Sequence, residues 1–392
     1  MTEIDSDRSL VGESPAQRAP TEYDPTIALQ DITEETQRQL NLCNACRYCE
    51  GYCPVFPAMA QQRWHDASNS QQVDHLAHLC HNCAACYHAC QYKPPHMYAV
   101  SLPAALDQAR LLSYKTTAWP RALAAAFDKN PMVSFLIASI SLMLVLLCAF
   151  TLNGSAMTTS HSGPGAFYAV ISHSIIVLCA TSTLGFALFA MTVTWGRYAQ
   201  VINLRFAELT PGIWFSAVQD ALTLRHLGGG HGEGCNVEDE RFSNQRRVWH
   251  QLTAYGFGLC FAATCVATVY ELGFGWLSPF PVTSLPVLLG CIGGLGLIAG
   301  PIGLLVLAQR QHSATTTRTT QDLGAALCVN LLAISITGFA LLIARETPFM
   351  GTLLAVHLGL VLAFFLGLPY GKLIHVGYRL LALLKYHHSV AR

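Results

Sequence analysis

The chain changes from a polar to an apolar pattern near Pro131, and this change predicts two parts. Residues 1–30 are rich in Pro, Ser, Asp and Glu and contain no apolar core, which predicts a disordered tail and no signal peptide. Beyond Pro131, uncharged runs recur that are long enough to cross a bilayer, for which about 20 residues are needed. We predict six membrane spans, at residues 133–152, 166–195, 252–270, 285–308, 323–344 and 350–368.

The fourth predicted span is rich in residues that weaken a helix. These are Gly290, Gly293, Gly294, Gly296, Gly300 and Pro301. Glycine at the surface of a membrane helix allows two backbones to approach closely, so we interpret this set as a packing face. A transporter would need inverted repeats with broken helices, and only this span hints at one.

The basic residues predict the orientation of the bundle. With the N-terminus inside, the inner segments carry fifteen Lys and Arg residues, whereas the outer loops carry Arg345 alone. Cytoplasmic loops are enriched in Lys and Arg. We therefore expect a multi-pass protein of the bacterial cytoplasmic (inner) membrane with both termini in the cytoplasm. Residues 111–131 form a basic connector, and residues 132–385 form a membrane domain with a cytoplasmic loop at 196–249.

The composition agrees with a membrane protein. Of the 392 residues, 52% are hydrophobic and only 12% are charged, whereas average proteins are about one quarter charged. The formal net charge is zero, which gives no electrostatic basis for binding nucleic acid.

Two copies of one cysteine pattern lie in the polar part, within a module at residues 31–110. Both runs read C-x2-C-x2-C-x3-C, the pattern of bacterial two-cluster ferredoxins, in which the fourth cysteine of each run binds the other cluster. Cys43, Cys46, Cys49 and Cys90 are therefore predicted to hold one [4Fe-4S] cluster. Cys80, Cys83, Cys86 and Cys53 are predicted to hold the second. Structural zinc is the alternative, but a tetrahedral zinc site uses paired C-x2-C hooks and needs no third evenly spaced cysteine.

Four histidines of the apolar part are candidate axial ligands of b-type haem, because ionisable groups at membrane depth are costly and tend to be functional. His173 lies about two turns into the second predicted span, and His357 lies in the sixth. His250 opens the third span, and His375 follows the sixth, 18 residues or five helical turns after His357. The span directions place His173 with His357 near the outer face and His250 with His375 near the inner face. This arrangement predicts one or two bis-histidine haems.

Other histidines compete for these roles, and one proline weakens the five-turn relation. The inner competitors are His226, His231 and His312, and the outer one is His161. Pro369 interrupts the helix before His375. The glycine-rich loop at residues 228–235, which ends in Cys235, has no role that we can assign from its residues.

Several longer motifs accompany the cysteines and histidines. They are C-Q-Y-x-P-P at residues 90–95, G-G-G-x-G-E-G-C at 228–235, R-R-x-x-H at 246–250, Y-G-F-x-L-C-F-A-A-T at 255–264 and L-P-Y-G-K-x-x-H at 368–375. With the eight cysteines they make the chain resemble the tricarballylate (citrate) utilization protein B family over residues 35–385.

The resemblance implies a role in electron transfer. Such a protein reoxidises the FADH2 of a separate FAD-dependent tricarballylate dehydrogenase and passes electrons through iron–sulfur clusters and haem to membrane acceptors, of which quinone is the plausible one. A related domain occurs in a flavin-containing cobalamin ring-contraction protein, so the fold does not fix the substrate.

The residues themselves agree with an electron-transfer subunit rather than a self-contained dehydrogenase. The sequence contains neither a flavin or nicotinamide fold nor an evident arginine pair for a substrate carboxylate. The alternative is a catalytic membrane reductase of the heterodisulfide-reductase type, which would turn over without a flavoprotein. We therefore expect a mainly α fold, in which a two-[4Fe-4S] ferredoxin-like module precedes a six-helix transmembrane bundle.

Overall fold

A computed structural model describes residues 25–61, 70–229 and 232–390 of the chain. Within these ranges the protein is helical, with a single isolated bridge between Cys235 and Ser243 and no strand. Six of its helices are long and apolar enough to cross a membrane. The predicted fold class is therefore confirmed.

The described residues of the cysteine-bearing module form five helices. They are α1 (Pro25–Cys46), α2 (Val55–Gln61), α3 (Ser70–Leu79), α4 (Ala85–His88) and α5 (Leu102–Thr117). The predicted tail extended to residue 30, but α1 begins at Pro25; the rest of the tail, residues 1–24, lies outside the described residues.

The membrane domain contains eight further helices. They are α6 (Asn130–Asn153), α7 (His173–Val201), α8 (Pro211–Thr223), α9 (Gln245–Phe274), α10 (Leu285–Arg310), α11 (Arg318–Ala344), α12 (Met350–Gly367) and α13 (His375–Val390). The long loop predicted at 196–249 therefore contains the end of α7, all of α8 and the start of α9.

The glycines of the fourth span form the packing face that we predicted. A Cβ atom on Gly300 would lie 2.4 Å from Oγ1 of Thr253 and 2.9 Å from the carbonyl oxygen of Trp249, and a Cβ on Gly293 would lie 2.7 Å from the carbonyl oxygen of Gly256. Helices α9 and α10 are thus in backbone contact. Despite Pro301, α10 runs unbroken from Leu285 to Arg310, so it is not the broken helix of a transporter.

One predicted helix start is wrong, and the five-turn relation between His357 and His375 does not hold. The second span does not begin as a helix at residue 166: Ala166–Ala169 form a short 3-10 turn after Gly165, whose φ is +83°, and α7 begins at His173. The sixth span does not continue to His375, because α12 ends at Gly367 and two 3-10 turns around Gly371 precede α13. His357 and His375 therefore lie on separate helices.

The module packs against one end of the bundle and against α13. Oγ1 of Thr117 and the hydroxyl of Tyr378 form a hydrogen bond, and the ring of His75 bonds the carbonyl oxygen of Ala382 at 3.0 Å. Buried side chains of the module and of α7, α8 and α13 form one hydrophobic core. The cysteine module and the C-terminal helix therefore lie at the same end of the membrane domain.

Candidate iron–sulfur and haem sites

The structure brings together the first predicted group of four cysteines. Cys43, Cys46, Cys49 and Cys90 line a cavity of about 220 Å³. Burial, followed by the nearby thiols of Cys90, Cys49 and Cys46, raises the pKa of Cys43 to about 12. The fourth cysteine, which comes from the second run, thus closes the first group. We call these residues the first quartet.

The second group of four cysteines also comes together. Burial raises the pKa of Cys53, and the thiols of Cys83 and Cys80 raise it further. Burial likewise raises the pKa of Cys86, followed by the effects of Cys53, Cys83 and Cys80. We call these residues the second quartet. Cys86 also lines the cavity of the first quartet, so the two sites are adjacent.

The loops of both runs wrap tightly because single residues adopt left-handed backbone conformations. Arg47 has a φ of +52°, Asn82 of +55° and Ala84 of +61°. The turn at Asn82 directs its backbone N–H to Sγ of Cys80 at 3.3 Å. Such hydrogen bonds to sulfur stabilise the thiolate and tune a bound cluster.

The spacing of these thiols disfavours zinc. A zinc ion requires ligand atoms at about 2.0–2.3 Å from one centre. Among the described residues, no group of three or more His, Cys, Asp or Glu side chains is arranged to hold one metal ion. The thiols of the first quartet instead line a cavity, as donors to the corners of a larger four-iron body would, and the thiolate donor set of both quartets fits such a cluster.

The two quartets differ in exposure. In the first, Cys46 is exposed, and Tyr48 beside it is 71% exposed. In the second, Cys83 is buried, and the glycine-rich loop covers it through Cys235, which is fully buried. The backbone N–H of Asn236 donates to the carbonyl oxygen of Cys83 at 3.0 Å.

Cys235 contacts the second quartet, although no role could be assigned to this residue from the sequence. Its Sγ donates to the carbonyl oxygen of Leu227 at 3.1 Å and also lies beside the Cys83 sulfur. The Cys235 thiol has a single proton, and when it donates that proton to the Cys83 sulfur instead of to Leu227 it lowers the pKa of Cys83, which favours the thiolate that binds iron. The loop positions its cysteine through glycines with positive φ at Gly229, where a Cβ atom would lie 2.6 Å from the carbonyl oxygen of Gly234, and at Gly234 itself.

The structure brings together the predicted inner pair of histidines. The ring centroids of His250 on α9 and His375 on α13 are 6.2 Å apart. Two metal–imidazole bonds of about 2 Å, with about 1.1 Å from each ring nitrogen to its ring centre, add up to this separation. The separation of the two rings thus fits two imidazole ligands of one metal ion.

The hydrogen bonds of this pair fit a ligand role. Nδ1 of His375 donates to the carbonyl oxygen of Lys372 at 2.5 Å, which leaves the Nε2 lone pair free for a metal. Burial, followed by the positive charge of Lys372, lowers the pKa of His375 to about 3, so the ring is neutral at ordinary pH. Nδ1 of His250 is buried and has no hydrogen-bond partner in the described part of the chain. The residues therefore fit a bis-histidine haem.

The predicted outer pair does not form in the structure. His173 is the first residue of α7, and its Nε2 lies 3.2 Å from a carboxylate oxygen of Glu271. His357 is the eighth residue of α12 and is therefore about 10 Å deeper along the helix axis. Its Nδ1 lies 3.1 Å from Oγ1 of Thr337. His173 does not lie two turns inside a helical span as predicted, because residues 166–172 do not extend the helix.

Glu271 forms a second set of contacts that was not predicted from the sequence. Its carboxylate accepts hydrogen bonds from the hydroxyls of Ser278, at 2.6 Å, and of Tyr168. Together with His173 they join the first residue of α7 to the end of α9. The group explains how an ionisable pair is accommodated at that end of the bundle.

The competing histidines have other partners where they are described. His226 and His387 both bond a carboxylate oxygen of Asp220 at 3.0 Å. His312 accepts a hydrogen bond from the backbone N–H of Ala314 at 3.2 Å, and His161 bonds the carbonyl oxygen of Ala156 at 3.1 Å. His231 lies outside the described residues.

Comparison with known proteins gives two family matches and one close relative. The model described as "Citrate utilization protein B" matches residues 126–392, and "Citrate utilization protein B Fer4-like domain" matches residues 36–116. A protein of Escherichia coli named citrate utilization protein B is 42% identical over 361 residues, which cover 91% of this chain and 93% of the relative. No solved structure matches the chain.

Proposed function

The chain belongs to the citrate utilization protein B family, and on this premise we propose that it carries electrons from a reduced flavoprotein dehydrogenase to membrane quinone. Its cofactors in this role are two [4Fe-4S] clusters and one b-type haem. When bound, these groups exchange single electrons, which converts the two-electron chemistry of a flavin into one-electron steps. The observation that carries the proposal is that two cysteine quartets and one histidine pair lie side by side at one end of a six-helix bundle.

The exposed first quartet supports electron entry at this site. Cys46 is exposed, and the aromatic side chain of Tyr48, which lines the same cavity, is 71% exposed. Apolar and aromatic side chains of this kind are common where protein partners dock. The donor is a separate FAD-dependent protein of the tricarballylate dehydrogenase type, because the described residues contain no sheet on which a nucleotide-binding domain could be built.

The second quartet and the histidine pair are connected by two helices. On α9, Arg246 donates to the carbonyl oxygen of Asn82, between two cysteines of the quartet, and His250 lies one turn further along. On α13, His375 lies one turn before Arg379, which donates to the carbonyl oxygen of His78. Each helix thus contacts both sites, which supports transfer from the second cluster to the haem.

Electrons therefore pass from the first cluster to the second cluster, then to the haem and finally to quinone. The concentration of Lys and Arg in the segments at the module's end of the bundle supports a cytoplasmic position for the module in the bacterial inner membrane. Electrons from a soluble flavoprotein would then enter from the cytoplasm.

The test uses the full-length protein in detergent or nanodiscs, mixed anaerobically with its reduced flavoprotein partner and a soluble quinone. We expect haem reduction followed by quinone reduction, and we expect Cys83→Ser to abolish both. The matched control is Cys265→Ser, an exposed cysteine of α9 outside both quartets, which should leave the rates unchanged. Haem reduction at an unchanged rate without the clusters would contradict the proposed order. Turnover of an organic substrate without any flavoprotein would instead favour a catalytic reductase.

A further inference from the structure

Three arginines from three different helices converge on the loop of the second quartet. Arg110 of α5 donates through Nε and Nη2 to the carbonyl oxygen of Ala77 at 3.0 and 2.9 Å, and through Nη2 to that of Cys80 at 2.8 Å. All three bonds fix the backbone where the second cysteine run begins. The planar guanidinium group is suited to such forked contacts and retains its charge when it is buried.

The other two arginines contact the same segment from the membrane domain. Nη1 of Arg379 on α13 donates to the carbonyl oxygen of His78 at 2.8 Å, and its Nη2 contacts the ring of His81. Nη1 of Arg246 on α9 donates to the carbonyl oxygen of Asn82 at 2.6 Å. Arg110, Arg246 and Arg379 together form what we call the arginine collar, which surrounds residues 77–82.

The positive charge of the collar is only partly compensated. Asp107 pairs with Arg110 at 3.3 Å, but its other oxygen accepts hydrogen bonds from Thr316 and Thr317. Nε of Arg379 is buried and has no hydrogen-bond partner within the described residues. A buried cation without a full set of acceptors calls for a nearby anion.

The collar acts on the sulfur atoms of the second quartet. Burial raises the pKa of Cys80, and the charges of Arg110 and Arg379 oppose this rise. The first quartet has a different environment: Arg47, within its loop, is exposed and directs its side chain to Asn44 at 3.0–3.2 Å. The positive charge is thus concentrated on one of the two sites.

We propose that the arginine collar gives the second cluster a higher reduction potential than the first. Accepting an electron makes a thiolate-bound cluster more negative, and nearby fixed positive charges stabilise that reduced form. Burial opposes the effect, since it disfavours added charge, but three guanidinium groups within the shell of one cluster outweigh it. The collar thereby directs electrons from the exposed first cluster to the buried second one. This inference rests on the proposed function, because it requires both clusters.

The test is a redox titration of the full-length protein monitored by electron paramagnetic resonance, with the second cluster identified as the signal that Cys83→Ser removes. In the wild type, we expect the second cluster to be reduced first. Arg379→Gln should decrease its ratio of reduced to oxidised form about tenfold at a fixed ambient potential, which corresponds to about 59 mV for a one-electron couple. Arg379→Lys, which retains the charge, should recover most of this change at pH 7.

The control and the opposing outcomes separate charge from packing. Arg47→Gln removes a positive charge near the first quartet and should leave the signal of the second cluster unchanged. If Arg379→Gln does not assemble, Arg246→Gln tests the same point. Equal shifts in the Gln and Lys variants, or a second cluster that is reduced after the first in the wild type, would overturn the inference. A wild-type protein with fewer than two clusters would instead overturn the proposed function.

Discussion

Replacing either histidine of the inner pair should remove the low-spin haem completely. In His250→Ala or His375→Ala, one of the two imidazole rings whose 6.2 Å separation fits two ligands of one metal is lost. Because a six-coordinate haem needs both, each single substitution should abolish the whole low-spin signal. The double variant should therefore cost no more than either single one, a coupling as large as the effect itself.

The size of the expected loss can be expressed as iron atoms per chain. Two four-iron clusters and one haem amount to about nine iron atoms per chain, and either variant should retain about eight, all of them in clusters. The assay combines reduced-minus-oxidised optical spectra with iron and haem determination on the purified protein. His173→Ala and His357→Ala are the matched controls, because the ring of His173 contacts Glu271 and that of His357 contacts Thr337, so the two rings do not form a pair.

Two outcomes would refute the reasoning. A wild-type protein with about ten iron atoms and two haem components, one of which disappears in both His173→Ala and His357→Ala, would restore the outer pair predicted from the span directions. Retention of the full low-spin signal in His375→Ala would mean that the ring separation is incidental, since a residue other than His375 would then supply the second ligand.

Three further predictions concern the clusters and the fold. Cys46→Ser and Cys83→Ser should each lose about four iron atoms from a different cluster, as measured by iron analysis; loss of the same cluster signal in both would contradict their assignment to separate clusters. Gly300→Ala should lower the apparent melting temperature in detergent, because its Cβ atom would lie 2.7 Å from a backbone nitrogen, an overpacking that costs about 1–3 kcal/mol; Gly258→Ala, whose Cβ has open space, should not. Burial raises the pKa of Asp74 from 3.8 to about 7, so wild-type stability should fall as pH rises between these values; Asp74→Asn should flatten this profile in pH-dependent thermal unfolding.

The cysteine quartets could be predicted from the sequence because their geometry is largely local. The spacing C-x2-C-x2-C places three thiols on one tight loop, and the crossing of the fourth follows from the two-cluster pattern. The inner histidine pair was predicted for a partly incorrect reason. His375 does not continue the helix of His357, but the turn around Gly371 directs it towards His250 nevertheless.

The structure does not form the predicted outer histidine pair, because the apolarity of a segment does not determine where its helix begins. Residues 166–172 are as apolar as a span requires, yet Gly163 and Gly165 adopt positive φ values and the helix begins only at His173. The partner of His173 is Glu271, a residue that the hydropathy pattern placed outside the third span. The only signal in the sequence was a carboxylate at the end of a predicted span. The sequence does not indicate which helix that carboxylate faces.

The arginine collar could not be predicted, because its contacts join residues far apart in the chain. Arg379 and His78 are separated by about 300 positions, and neither position is distinguished by a spacing rule. The only local hint was the i, i+4 relation between Arg246 and His250 in the R-R-x-x-H motif. It places a charge and a ligand on the same helical face without showing what the charge contacts.

The repetition of this spacing on α13 explains how the two proposed redox sites keep a fixed separation. Arg246 and His250 lie one turn apart on α9, and His375 and Arg379 lie one turn apart on α13, so each helix binds the loop of the second quartet with an arginine and supplies a histidine to the pair. One turn rises about 5.4 Å, a distance set by helix geometry and not by the docking of two domains. A shift of either helix would move an arginine and a histidine together, which preserves the spacing between the sites. Because electron transfer depends on that spacing, the membrane helices and the cluster module need to form one rigid unit, and the core shared by the module, α7, α8 and α13 provides it.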